Sequence, residues 1–184
     1  MAYIDLKNEL PGIRGLMAYD QQAADALNGI ANVLLCRESS LTKGEREMIA
    51  TYVSSLNDCF FCQSVHGAVA SAHLEDSDGE LIKQVKSNFT EAPISAKMKA
   101  LLEIAGRVQR GGKMVEHRQI LDAIAEGATD QEIHDTVLIA AAFCMFNRYV
   151  DGLGTWAPSD QQIYKDRAPW IVEGGYTRPG QNIK

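Results

Sequence analysis

The chain has 184 residues, 46% hydrophobic but only 7% aromatic, with a formal net charge of -6 and a pI near 5.2. That length suits one well-buried domain or two small fused halves. An acidic chain with no Lys/Arg stripe excludes nucleic acid as its natural partner, and Lys83, Lys86, Lys97 and Lys99 read as scattered solvated charges. The N-terminal stretch has no basic region followed by an apolar run, so no secretory leader is expected. The longest apolar run, residues 137–146, is too short to cross a bilayer. Four cysteines in this context predict a reducing, cytoplasmic compartment rather than a disulfide framework.

Helix signals dominate from the first capped segment onward. Asp20 can cap a helix over about 21–36, with Ala24, Leu27, Ile30, Ala31 and Leu34 on its inner face. Thr42-Lys-Gly-Glu45 is a capping box with Leu41 as its hydrophobic staple, and it opens a helix to about Leu56. Asn57-Asp58 supplies a turn and the next N-cap, which sets Cys59 in the first turn of a helix to about Leu74. Ser77-Asp-Gly-Glu80 reads as another capping box, opening a short helix to about Ser87.

Pro93 and Ser95 start a helix over about 96–109 that Gly111-Gly112 stops. A helix over about 115–126 ends at Gly127, and the box Thr129-Asp-Gln-Glu132 opens one to about Val150. The middle of that last helix is apolar on every side, which implies full burial or an oligomer interface. The tail from Gly174 to Lys184 is an extended or disordered arm. The two boxes at Thr42 and Thr129, each followed by a cysteine-bearing helical stretch, allow an internal duplication, although the second copy has no CxxC. With strand signals nearly absent and no long Pro/Gly-rich linker, the expectation is a single all-α domain over residues 1–184.

Chemistry concentrates between Glu47 and His66. Cys59, Cys62 and His66 stand at i, i+3 and i+7, so one helix presents them on one face. If the preceding helix folds back antiparallel around Asn57-Asp58, Glu47 comes across from about residue 68, beside His66 and the second thiol. A helix start favours the thiolate, His66 can take its proton, and Glu47 can orient the imidazole or relay the proton. Once a peroxide has oxidised one cysteine to a sulfenic acid, the other can condense with it to a disulfide. The alternative is a metal knuckle, because Cys59, Cys62, His66 and Glu47 number four ligands, although three from one helix is awkward geometry for zinc. Cys36 and Cys144 read as small core residues, and His73, His117 and His134 as solvent-facing. Tyr52 and Phe60 could wall the site or simply pack. Asn147 and Arg148 could satisfy buried carbonyls or an interface carboxylate.

The run Ser55-Leu-Asn-Asp-Cys-x-x-Cys-x-x-x-His66, with Glu47 upstream, resembles the core motif of the alkylhydroperoxidase D (AhpD)-like and carboxymuconolactone decarboxylase superfamily. The specific match spans about 41–72, inside a core of about 41–90, and residues 129–153 resemble a later helix of the group more weakly. The resemblance implies an AhpD-like helical bundle assembled as a dimer, trimer or hexamer, with no cofactor and no metal. It implies that Cys62 attacks a hydroperoxide, Cys59 resolves, Glu47 and His66 move protons, and a dithiol reductant, such as a lipoyl-bearing protein, restores the enzyme. Phe61 stands where the characterised enzymes carry a histidine, which brings the chain closer to the peroxidase-related branch. A carboxymuconolactone decarboxylase-like enzyme and a non-enzymatic redox-sensing or metal-binding module are the alternatives.

Overall fold

The computed structural model describes residues 2–177, and every regular element among them is helical. The order is α1 (Ile13–Tyr19), α2 (Gln21–Cys36), α3 (Lys43–Leu56), α4 (Phe60–His73), α5 (Glu80–Asn88) and α6 (Ala96–Arg110). A 3-10 turn (Gly112–Met114) then leads to α7 (His117–Ala125), α8 (Asp130–Gly152) and α9 (Gln161–Gly174). The all-α class expected from the sequence is the class observed.

Local chemistry accounts for most of the boundaries. Asp20 accepts the N–H of Ala23 at 3.0 Å and starts α2. Both Thr boxes form as reciprocal pairs: Thr42 with Glu45 opens α3, and Thr129 with Glu132 opens α8. Ser95 caps α6 by accepting the N–H of Met98.

Elsewhere the structure departs from the sequence expectation. Asp58 does not cap α4: it takes φ 55° to reverse the chain, whereas an N-cap residue needs extended backbone. Cys59 is the N-cap residue itself, so it stands just outside the helix rather than in its first turn. Ser77 does not open α5 either. The Asp76 carboxylate accepts the N–H groups of Leu81 and Ile82, both at 3.1 Å, where an anion is favoured by the exposed amides. Ile30 faces outward, and the inner edge of α2 runs through Ala24, Ala31, Leu34 and Leu35. Helices α1 and α9 are additions; Asp160 starts α9 by accepting the N–H of Gln162 at 2.9 Å.

Helix α3 is the axis of the bundle, with residues 46–54 all buried. It pairs with α4 as an antiparallel hairpin, Gly44 lying against Leu74 and Thr51 against Gly67. Helices α6 and α8 pack on its other sides, and α9 closes over α4. Leu35, Ile49, Val53, Leu101, Ile104 and Ile139 are fully buried, each contributing about 1.5–3 kcal/mol from the area removed from water. Arg46, almost wholly buried, donates to the carbonyls of Leu34, Arg37 and Thr42 and pins the α2–α3 turn. A smaller cluster of Cys59, Phe61, Cys62, Val150 and Tyr164 sits apart from the main core. No helix among the described residues is long and apolar enough to cross a membrane. Residues 174–177 of the expected arm are ordered against the bundle, and residues 178–184 lie outside the described residues.

Candidate active site

The α3–α4 hairpin brings Glu47 and His66 together: Glu47 Oε2 lies 2.7 Å from His66 Nδ1. Glu47 is buried, so its carboxylate must find partners in the protein. It has a second one. The Tyr176 hydroxyl donates to Glu47 Oε1 at 2.7 Å and lies 3.1 Å from His66 Nδ1. Burial first, then the charge of Glu47 and the hydrogen bond to it, push the Tyr176 phenol well above its ordinary range, so it stays a neutral donor. The Tyr176 ring stacks on the imidazole at 5.6 Å, and Phe143 meets the same imidazole edge-on at 4.6 Å. With the carboxylate on Nδ1, the imidazole is held as the Nδ1–H tautomer, and Nε2 is the nitrogen free to exchange a proton.

Backbone geometry delivers Tyr176. Helix α9 ends at Gly174, and Gly175 turns the chain at φ 66°, a conformation that favours glycine. A Cβ there would stand 2.5 Å from Asn32 Oδ1, the same atom that accepts the Tyr176 N–H at 3.1 Å.

Cys59 and Cys62 are both buried free thiols. Hydrogen bonding toward Cys59 first, then burial and the neighbouring Cys59 charge, hold the Cys62 thiol well above its ordinary pKa. A hydrogen bond from Asn147 works in the opposite direction. Cys62 lies in the first turn of α4, but its buried surroundings outweigh the helix-start effect expected from the sequence. Burial raises the Asp151 carboxyl above the ordinary range, and the neighbouring Cys59 works in the opposite direction. Tyr164, whose hydroxyl donates to the Pro158 carbonyl at 2.8 Å, is pushed up to about 12 by burial and by the two thiols.

Cys62 and His66 open on one small cavity of about 70 Å³, room for a few water molecules. Its walls come from α1, α2, α4, α8 and α9, and they include Phe61, Phe143 and Phe146. Phe61 packs edge-on against Tyr164 at 6.1 Å. It lies so close to Gly12 that a Cβ there would fall 2.3 Å from the ring. Cys59 is not among the lining residues, nor is Glu47, whose oxygens are spent on His66 and Tyr176. A larger open groove of about 650 Å³ between α4, α5 and α9 contains neither thiol. Among the described residues no three or more His, Cys, Asp or Glu side chains are grouped to hold a metal ion.

Known proteins resemble the chain in sequence and fold. Residues 21–83 match the model of the carboxymuconolactone decarboxylase family, a segment that holds all four motif residues. A crystal structure described as an alkylhydroperoxidase AhpD core, an uncharacterized peroxidase-related protein from Ralstonia eutropha, superposes with a TM-score of 0.76. It is 25% identical over 85% of this chain and 82% of that one. An uncharacterized peroxidase-related protein from a Silicibacter species gives a TM-score of 0.74 and 28% identity, over 84% and 78% of the two chains. In sequence over that segment, and in fold over most of its length, the chain is similar to the AhpD-like/carboxymuconolactone decarboxylase superfamily. No protein of curated function matches its sequence.

In this AhpD-like chain the fold unites Glu47 with His66, and Cys59 with Cys62, and it sets Cys62 beside His66 on the cavity. Tyr176, Asn147 and Asp151 complete the arrangement without belonging to the sequence motif. Asn147 carried a signal, a polar residue closing an apolar helical run; it is buried, bonded to Asn57 at 2.8 Å and Ser54 at 3.1 Å. Tyr176 carried none beyond its place after two glycines. Tyr52 packs edge-on against Phe89 rather than on the cavity, and Phe60 is exposed beside Tyr164.

Proposed function

We propose that this AhpD-like protein is a cofactor-free thiol peroxidase that reduces organic hydroperoxides and is restored by an external dithiol. The observation that carries the reading is the cavity shared by Cys62 and His66, with Nδ1 of that histidine held by Glu47 and Tyr176. His66 Nε2 takes the Cys62 proton, a step the raised Cys62 pKa makes necessary. The thiolate attacks the terminal oxygen of ROOH: an S–O bond forms, the O–O bond breaks, and the alkoxide leaves as ROH with the proton from His66. Cys59 then attacks the Cys62 sulfenic acid, an S–S bond forms and water departs. A dithiol, such as a lipoyl-bearing protein, returns two electrons and two protons through a mixed disulfide. Phe61 offers no proton, so the relay runs through His66, Glu47 and Tyr176 alone. We assign the protein to the cytoplasm as a homo-oligomer.

The test is consumption of an organic hydroperoxide with dihydrolipoamide as reductant. Cys62→Ser abolishes turnover, Cys59→Ser stops it after one equivalent, and Glu47→Gln lowers kcat/KM by about tenfold or more. Equal rates for wild type and Cys62→Ser sink the reading. Ring-opening lactone decarboxylation that survives removal of both cysteines favours the other chemistry named by the matched family.

A further inference from the structure

The thiol cavity is lined by two guanidinium groups that the peroxidase reading does not use, those of Arg14 on α1 and Arg167 on α9. Arg14 is the telling one. Its Nε and Nη2 atoms are buried and have no hydrogen-bond partner among the described residues. Buried donors left unpaired are costly, and a ligand that accepts from them removes that cost. Most of the cavity lining, Ile13, Met17, Val65 and Phe143 among it, is apolar and offers no acceptor, and Asn28 is its one side-chain amide. Arg167 lies over the Trp170 ring at 5.2 Å and adds its positive charge to the same space. The two cations repel: burial first, then Arg167, lower Arg14 to about 10.

From this cavity, and resting on the peroxidase reading for the chemistry, we infer that the substrate is a small hydroperoxide that also carries a carboxylate. The carboxylate sits on Arg14 and directs the peroxide to Cys62. A planar carboxylate matches the guanidinium fork with two parallel N–H···O bonds. A cavity of about 70 Å³ admits such a head with a short carbon chain and no bulky group.

Two alkylating agents of nearly equal size, iodoacetate and iodoacetamide, test the anion site without any peroxide. Each is attacked by the Cys62 thiolate, an S–C bond forming as iodide leaves, and they differ in that one bears a carboxylate. Because the same thiolate reacts, the ratio of the two rates at Cys62, followed by peptide mass spectrometry, cancels the thiol's reactivity. The ratio of iodoacetate to iodoacetamide is expected to exceed that of Arg14→Gln by about tenfold to a hundredfold, the worth of a charge-assisted hydrogen bond. Arg14→Lys, which keeps the charge, should restore part of it, and helicity by circular dichroism verifies that each variant is folded. Butyrate should slow carbamidomethylation of Cys62, and neutral butyramide should not. Equal ratios in folded wild type and Arg14→Gln overturn the proposal. In the second arm a short hydroperoxy acid is compared with its methyl ester. Reduction of both at equal kcat/KM overturns the carboxylate preference and leaves the peroxidase standing. Reduction of neither, with the iodoacetate preference intact, overturns the peroxidase and leaves the anion site.

Discussion

At the scale of single residues, the site is decided by where protons can rest. Glu47 Oε1 has the Tyr176 hydroxyl as its donor, so Tyr176→Phe leaves a buried carboxylate oxygen unpaired. The expected cost is about 1–3 kcal/mol in stability, with a fall in kcat for hydroperoxide reduction and little change in KM, because Tyr176 positions His66 rather than gripping substrate. An unchanged kcat with the full stability loss would leave Tyr176 a structural residue only. Cys62 is the second case. Its pKa is raised by hydrogen bonding toward Cys59 and by burial, so its alkylation rate should keep rising with pH past about 8.5, the usual thiol midpoint. A plateau at or below pH 8 would mean that the thiol is ionised early and needs no base. The sequence motif picked out Glu47, Cys59, Cys62 and His66 because helical spacing alone aligns them. It was silent on Tyr176, which is 129 positions from its partner Glu47 and meets it only through the turn at Gly175.

At the scale of elements, reciprocal caps and stop signals set most boundaries correctly, since they act within one helical turn and need no tertiary context. At Asp58 and Ser77 the residue types fit a cap, but Asp58 is left-handed where the chain reverses and leaves the cap position to Cys59, and the Asp76 carboxylate takes the first amides of α5 in place of Ser77. Helix α8 is buried on one side only. Ile139, Ala140 and Phe143 are buried, whereas Leu138 and Met145 on the opposite side are 44% and 43% exposed. That stripe suits self-association. Leu138→Glu combined with Met145→Glu should lower the mass measured by light scattering while circular dichroism is unchanged; an unaltered mass would assign self-association to another face.

At the scale of the whole molecule, three groups share one electrostatic history: Cys62, Tyr164 and Tyr176 are all held neutral, with folded pKa values above the ordinary ones. As pH rises through about 8.5 to 10, the unfolded chain releases these protons first, so the stability they contribute is full below that window and is lost above it. The thermal midpoint should therefore fall from about pH 9 upward, and Cys62→Ser with Tyr176→Phe should flatten the decline. A midpoint constant to pH 11 in the wild type would contradict this. The sequence by itself determined the all-α class, most helix starts and the four-residue motif, because capping, periodicity and the i, i+3, i+7 register are local properties of the chain. Only the tertiary structure decided that the two thiols are buried and that Tyr176 closes the Glu47–His66 pair. It also decided that Arg14 and Arg167 face the same cavity as Cys62. Those facts depend on burial and on contacts between α1, α4, α9 and the segment beyond α9, which no local pattern encodes.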